Sequence, residues 1–457
     1  MSLAARPDPA SANYLQEVRE HYENFPYPLV NPEDEKKRLY GSILEAFDRL
    51  NHFCYGGKRD FTKPFRALVA GGGTGDAVVH LAEQFRGHPA EIIYLDMSQA
   101  SMAVAKERMR MRGLDNVTWI HDSLLNIPKL GLGQFDFINC SGVLHHLADP
   151  DAGLKILADA LKEDGAMGLM VYARYGRAAV YPLQEALRMI NRDEPNLQQR
   201  VDNAKSVLMH LPPTNWFHHS PLSILNEIRS DVGIFDLLLH AQDRAYTIPE
   251  LYQFTGQAGL NILHLFSDDF SLSGGLYQPA TYIRDAGVLT RALALPPKEQ
   301  QQLAELLHGK IYKHSFYAAK RSLKTPDPEN LDVIPLYSFD ICDGREAIAD
   351  IIHHAPETMV KINQPATNVN ILLVKTDHLE SIVRLIDGKR SLREIFRQIM
   401  DAPGNRKTKP NFQSLIFEFK ALYHAFHHFN WMYLREKGSS VVLYPDEMQK
   451  RVPGSEA

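Results

Sequence analysis

An apolar run, Ala67–Ala70, breaks abruptly into Gly71-Gly72-Gly73-Thr74-Gly75-Asp76. Apolar residues then recur at helical spacing: Val78, Val79, Leu81, Ala82 and Phe85. This order predicts a strand, a glycine bend and a helix. Glycine reaches positive φ without a Cβ clash, so the chain can reverse tightly and leave its main chain open to close approach. The first N–H groups of the following helix have no partner within it and point back at the bend. A strand that feeds a helix in this way is the opening unit of an α/β sheet.

The glycine spacing discriminates between ligands. The dinucleotide fingerprint G-x-G-x-x-G needs a third glycine where this chain has Asp76. The spacing present is G-x-G-x-G, at Gly71, Gly73 and Gly75. A pyrophosphate would be repelled by Asp76, whereas a zwitterionic amino-acid group tolerates it. Three further apolar runs follow: Glu91–Asp96 and Val117–Asp122, each ending in Asp and the latter with Ser123 after it, and Phe135–Cys140. The last leads into Ser141-Gly142-Val143-Leu144-His145-His146-Leu147.

Together these residues resemble motif I and the successive strand tips of the class I S-adenosylmethionine (SAM) dependent methyltransferases, over about residues 60–175. The resemblance implies a seven-stranded Rossmann-like sheet with SAM as cofactor. It implies that Gly71, Gly72, Gly73, Thr74, Gly75 and Asp76 cradle the methionine part. Asp96 then takes the ribose hydroxyls, Met97 lies against the adenine, and Asp122 and Ser123 meet its amino group. Cys140 and Ser141 complete the cofactor wall. One position departs from the family. An acidic residue usually stands two places before the first glycine, and here that residue is Val69. An anchor for the methionine amino group is therefore missing, leaving Asp76 or a backbone carbonyl to replace it.

At 457 residues the chain is long for one core, so two or three domains are expected. A net charge of −5 argues against a general nucleic-acid binder. Cys54, Cys140 and Cys342 are too few and scattered for a disulfide frame or a cysteine zinc site. A reducing, cytoplasmic setting is the expectation. No apolar run approaches the length of a bilayer span, so no membrane partner is expected.

Residues 1–12 read as disordered, and a helix is expected from Asn13. It leads into His21–Pro28, whose Tyr22, Phe25 and Tyr27 must pack on something, as a strap or as a lid over the cofactor cleft. Ser42–Phe53 reads as an amphipathic helix. After the fourth strand, a helix Asp149–Glu163 is expected to stop at Asp164-Gly165, before a fifth strand, Ala166–Tyr172. Pro182–Ile190 returns to helix. Residues 191–260 read as a mostly helical insertion carrying a substrate wall, with Thr247 and Glu250 as a capping box. Asn261–Phe266 and Lys310–Lys320 complete the sheet, with a helix at Lys298–His308. Ser322–Asn330 marks a linker. Beyond it, Ile371–Val374, Leu379–Ile386, the Asp387-Gly388 turn and Ser391–Met400 resemble the winged-helix modules related to the peptide-binding chaperone of PQQ biosynthesis. Phe412–Trp431 is a further expected helix. The expected division is an N-terminal helical segment or lid (1–60), a methyltransferase domain (61–321) and a small α+β winged-helix-like interaction domain (331–457).

His145 and His146 are the acid/base candidates, because histidine titrates near neutral pH and these two follow the fourth strand. Tyr172 and Tyr175 are candidates to orient an acceptor or to cage a sulfonium. Tyr22, Tyr27, Arg177, His240, Arg244 and Tyr246 are the remaining candidates for the substrate side. The Asn-Pro-Pro-Tyr loop that grips planar amide or base nitrogens is absent. His424, His427 and His428 sit at helical spacing without a nearby carboxylate or cysteine cluster, so no metal is expected. The basic residues Lys389, Arg390, Arg393, Arg397, Arg406, Lys407 and Lys409 read as a solvated surface or a protein contact. The reading is methyl transfer to an unidentified acceptor, a peptide or protein side chain. A small-molecule O- or N-methyltransferase, a nicotinamide-dependent oxidoreductase and a non-catalytic SAM-binding scaffold stand as alternatives.

Overall fold

The computed structural model describes residues 12–39, 43–266, 275–338, 344–356, 358–364, 369–402 and 410–439. Residues 1–11, Ser42, Cys342, Arg406, Lys407 and Lys409 lie outside them.

Five parallel strands, β1 (Phe65–Ala70), β2 (Ala90–Asp96), β3 (Val117–His121), β4 (Phe135–Ser141) and β5 (Leu161–Ala173), form most of one sheet. It continues through β6 (Ala245–Tyr246), β7 (Asn261–Phe266) and β8 (Lys313–Ala319). The strand order is β3-β2-β1-β4-β5-β8-β7, and the two-residue β6 pairs with the end of β5 as an eighth strand. β8 runs antiparallel to both neighbours. The order reverses between β1 and β4, which opens a crevice beyond their carboxyl ends.

The alternation along β1 explains the layers. Ala67 and Val69 face one core with Val78, Leu81 and Phe47, while Leu68 and Ala70 face the other with Leu154 and Leu157. All of these but Phe47, which is nearly so, are completely buried. Each large apolar side chain so placed contributes roughly 1.5–3 kcal/mol.

Two expectations fail for local reasons. The helix capped by Asp149 ends at Ala160, and β5 starts at Leu161. Gly165 is therefore a strand residue and not a helix stop. A Cβ there would stand 2.9 Å from the carbonyl oxygens of Phe135 and Asp136. Glycine is needed because β4 passes that close. The second failure is the segment after Ser42, which is not amphipathic. Phe47–Arg49 is α-helical, Leu50–Cys54 is a π-turn, and every residue from Leu44 to Cys54 is buried. Both faces are covered. Phe53 stacks on His264 of β7 at 3.9 Å, and Arg49 Nε donates to the Tyr433 hydroxyl at 3.1 Å.

The helix Ala12–Asn24 runs over the sheet's carboxyl edge. There the Glu23 carboxylate accepts the N–H groups of Gln99 and Ala100. The insertion holds helices at Leu197–Met209, Leu222–Glu227 and Asp231–Leu238 around a small core with Val180, Leu183 and Leu187. Phe25 stacks on its Phe235 at 4.7 Å. The expected capping box of Thr247 with Glu250 is present.

Beyond residue 330, β9 (Val333–Tyr337), the hairpin β10 (Met359–Gln364) and β11 (Val369–Val374), and β12 (Met432–Glu436) frame, among the described residues, four helices. β12 pairs antiparallel with β9. The helix from Phe412 ends at His428, three residues early, and Asn430 at φ 56° turns the chain into β12. Arg390 and Arg393 of the basic stretch pair with Asp387 and Asp332. Among the described residues no helix is long and apolar enough to cross a membrane.

Candidate active site

A cavity of about 470 Å³ opens where the strand order reverses. One half is made of the glycine bend and the tips of β2, β3 and β4. Gly71, Gly72, Gly73, Gly75, Asp76, Asp96, Met97, Asp122, Ser123 and Ser141 all line it. Gly75 at φ 107° starts the helix Asp76–Gln84, a conformation that side-chain-bearing residues resist. A Cβ on Gly72 would sit 2.2 Å from the Tyr94 ring, whose hydroxyl donates to Gly73 O at 2.7 Å.

Asp96 accepts the Gly73 N–H on Oδ2 and the Ser98 N–H on Oδ1, each at 2.8 Å. Each oxygen keeps a second lone pair. Burial raises its pKa, and the backbone donors oppose that shift. Asp122 accepts from Asn126 Nδ2 and from the Ser123 N–H, which hold its carboxyl below the usual range. Leu95, Leu124, Val143 and Leu147 supply apolar surface between these groups.

Asp76 is already engaged. Its Oδ1 accepts from Arg108 Nη1 at 2.6 Å, and the same nitrogen donates to Thr74 O at 3.0 Å. Arg108 also pairs with Glu35, which meets Arg112, which pairs with Glu83. These four charges are buried, so removing one would strand another, at a cost of about 3–5 kcal/mol.

The other half is built from side chains of distant segments. Tyr22, Tyr27, Tyr172, Arg177, Glu227, Asp236, Tyr312 and Lys313 line it, with His146 at the junction. Asp236 accepts the Tyr22 hydroxyl on Oδ1 at 3.3 Å and the Tyr172 hydroxyl on Oδ2 at 3.2 Å. The Arg177 guanidinium lies 3.5 Å from the Tyr172 ring centroid and pairs with Asp243 at 3.1 Å. Burial, reinforced by Asp236, pushes the Glu227 carboxyl up to about 7. His146 Nδ1 lies 2.9 Å from Gln242 O, so that nitrogen carries the proton and Nε2 is the bare acceptor. Its ring stacks on His240 at 3.7 Å, and burial lowers its pKa.

Several expected residues do not reach the cavity wall. His145 is fully buried behind the Tyr172 ring, 3.8 Å between centroids, so it cannot meet a substrate. Cys140 points into the core because strand alternation gives the cavity side to Ser141, and burial pushes its thiol up to about 12. Thr74 is turned away, its hydroxyl donating to Pro28 O at 2.8 Å. His240 backs His146. Tyr246 lies in the core beside Phe254, and Arg244 sits on the Tyr246 ring. Tyr175 is half-buried in the turn after β5, off the wall.

The sequence reading missed Asn139, Glu227, Tyr312, Lys313 and Ser315. Glu227 ends a six-residue helix with no motif around it. Lys313 and Ser315 alternate at the start of β8, and only its antiparallel placement beside β5 brings them to the cavity. Among the described residues no three His, Cys, Asp or Glu side chains group as a metal site. His427 instead stacks on Tyr423 at 5.0 Å.

A sequence profile described as a methyltransferase domain matches residues 68–167. Uncharacterized protein syc1184_c of Synechococcus sp. is 30% identical over 328 residues, covering 71% of this chain and 75% of that one. The chain belongs to that protein's family and is a class I SAM-dependent methyltransferase. A demethylmenaquinone methyltransferase of Bacteroides fragilis is 23% identical over 42% of this methyltransferase and 84% of its own length. The solved structure of PKMT2 from Rickettsia typhi in complex with AdoHcy superimposes with a TM-score of 0.58 at 14% identity, over 88% of this chain and 76% of that one. That likeness is one of fold. The cofactor of this methyltransferase is SAM, and the nicotinamide-dependent alternative falls away.

Proposed function

We propose that this methyltransferase transfers the methyl group of SAM to an amino group on a peptide or protein side chain. The donor set of the first half fits the cofactor. Asp96 has lone pairs for two ribose hydroxyls. Leu95, Met97 and Leu124 offer apolar surface to a purine, and Asp122 and Ser123 offer polar groups at its edge. The glycine bend leaves main chain open to the amino-acid end. Bound SAM supplies a methyl group already activated on a sulfonium sulfur.

The observation that carries the acceptor reading is the pair of carboxylates, Glu227 and Asp236, set among Tyr22, Tyr27 and Tyr172 on the wall of the second half. Carboxylates and aromatic faces together attract a cationic amine. Arg177, itself paired with Asp243, and Lys313 offset part of that negative charge at Glu227, and burial raises the Asp236 carboxyl as well. An ammonium must lose a proton before its nitrogen can attack. Glu227, at about 7, is poised to take that proton near neutral pH. His146 Nε2 is the second acceptor at the junction of the halves. Asp236 fixes the hydroxyls of Tyr22 and Tyr172, which orient the acceptor. The demethylmenaquinone methyltransferase relative supports a small-molecule acceptor as the second reading.

Incubating the full chain with methyl-labelled SAM and fractionated cell extract tests the reading. Label in protein, recovered as acid-stable N-methyl amino acid after hydrolysis, is expected. Label confined to small molecules, or released by mild base as from a methyl ester, would contradict it.

A further inference from the structure

The family's missing acid leaves a question that the structure answers from another part of the chain. Val69 is fully buried in β1, and its partner across the ladder in β4 is Asn139. Asp76 is held by Arg108, so it is a poor substitute. A different carboxylate reaches this spot. Glu45, fully buried, accepts a hydrogen bond from Asn139 Nδ2, and the same amide nitrogen donates to Ser141 Oγ at 3.1 Å. Asn139 and Ser141 both line the cavity, as do Ile43 and Leu44 just before Glu45. The segment is pinned on both sides of that carboxylate. Gln84 Nε2 donates to Glu45 O at 2.8 Å, the Phe47 N–H donates to Gln84 Oε1 at 2.9 Å, and the Tyr317 hydroxyl donates to Leu44 O at 3.0 Å.

A carboxylate only accepts, so it dictates which end of the Asn139 amide turns toward it. With both amide hydrogens directed at Glu45 and Ser141, the group Asn139 has left to offer at the cavity wall is its carbonyl oxygen. An ammonium only donates, and a carbonyl backed by a negative charge suits it.

We propose that Glu45 and Asn139 together replace the absent motif acid. Asn139 Oδ1 accepts from the amino group of the cofactor's methionine part. Glu45 is a positioning residue that fixes the amide and supplies the negative charge one side chain behind it. This rests on the SAM reading of the cavity and deepens it.

Calorimetry on the full chain separates the two. S-adenosylhomocysteine carries the amino-acid end, and 5′-methylthioadenosine lacks it. Wild type is expected to bind both. Glu45→Gln frees the amide to flip, so it should weaken S-adenosylhomocysteine about tenfold and leave methylthioadenosine unchanged. The swapped pair Glu45→Gln/Asn139→Asp puts a carboxylate on the wall and an amide behind it, and should restore binding. Asn139→Ala, which leaves Glu45 in place, should reproduce the selective loss if the Gln variant fails to fold. Equal loss of both ligands, no loss of either, or failure of the swap to restore binding would overturn the role of Glu45. A wild-type chain that binds neither ligand would instead overturn the SAM reading of the cavity.

Discussion

The two halves of the cavity are made of different materials. The cofactor half is mostly main chain and strand tips: one glycine bend, Asp96 held by two backbone N–H groups, and Asp122 held by the residues just after it. The acceptor half is side chain against side chain. Tyr22, Tyr172, Arg177, Glu227 and Asp236 come from four separate segments: the two tyrosines bond to Asp236, Arg177 lies over the Tyr172 ring, and Glu227 is coupled to Asp236 and Arg177 through charge. The first half follows from local sequence, and the second exists only once the insertion and the N-terminal helix have packed. One half can thus be damaged without the other.

The largest separation is expected at Glu227. Glu227→Gln should slow label transfer to extract protein by about 10²–10⁴-fold near pH 8, the range for loss of a general base. The wild-type rate should rise with pH through about 7 and the variant's should not. Equal rates, or a variant profile that keeps the same inflection, would assign the proton to another group such as His146.

Asp96→Ala should act on the opposite half. It removes the acceptor of the Gly73 and Ser98 N–H groups as well as the ribose ligand, so S-adenosylhomocysteine should bind about 100-fold more weakly. Retained affinity would mean that the bend does not hold the sugar.

A smaller effect sharpens the contrast in stability. Burial raises the Glu227 carboxyl from 4.5 to about 7, so the folded state holds its proton more tightly than the unfolded chain does. Its contribution is fully present below about 4.5 and is lost as pH rises through 7. Glu227→Gln should therefore gain stability over wild type by roughly 3 kcal/mol at pH 8 in denaturant melts, and nothing at pH 4. The smallest change is a control outside both halves. Thr247→Ala breaks a reciprocal capping box and should cost about 1 kcal/mol of stability while leaving cofactor affinity unchanged.

The same contrast explains what could be read from the sequence. The bend, the first four strand tips and the caps at Asp149 and Thr247 are written in neighbouring residues, and they appear in the structure. Gly165 misled because glycine marks both a helix stop and a close strand approach, and only the β4 carbonyls decide between them. Leu44–Cys54 misled because a second surface, β12, covers the face expected to be polar. His145 and Tyr246 carry the right chemistry but face inward. Glu227 had no local signal, since its environment is set by Arg177 and Asp236 from elsewhere in the chain.

One titration probes the division most directly: S-adenosylhomocysteine against wild type, Asp96→Ala and Glu227→Gln by calorimetry. Two separable halves predict wild-type affinity for Glu227→Gln and a loss of about 100-fold for Asp96→Ala. Comparable losses in both variants, or a loss confined to Glu227→Gln, would contradict it.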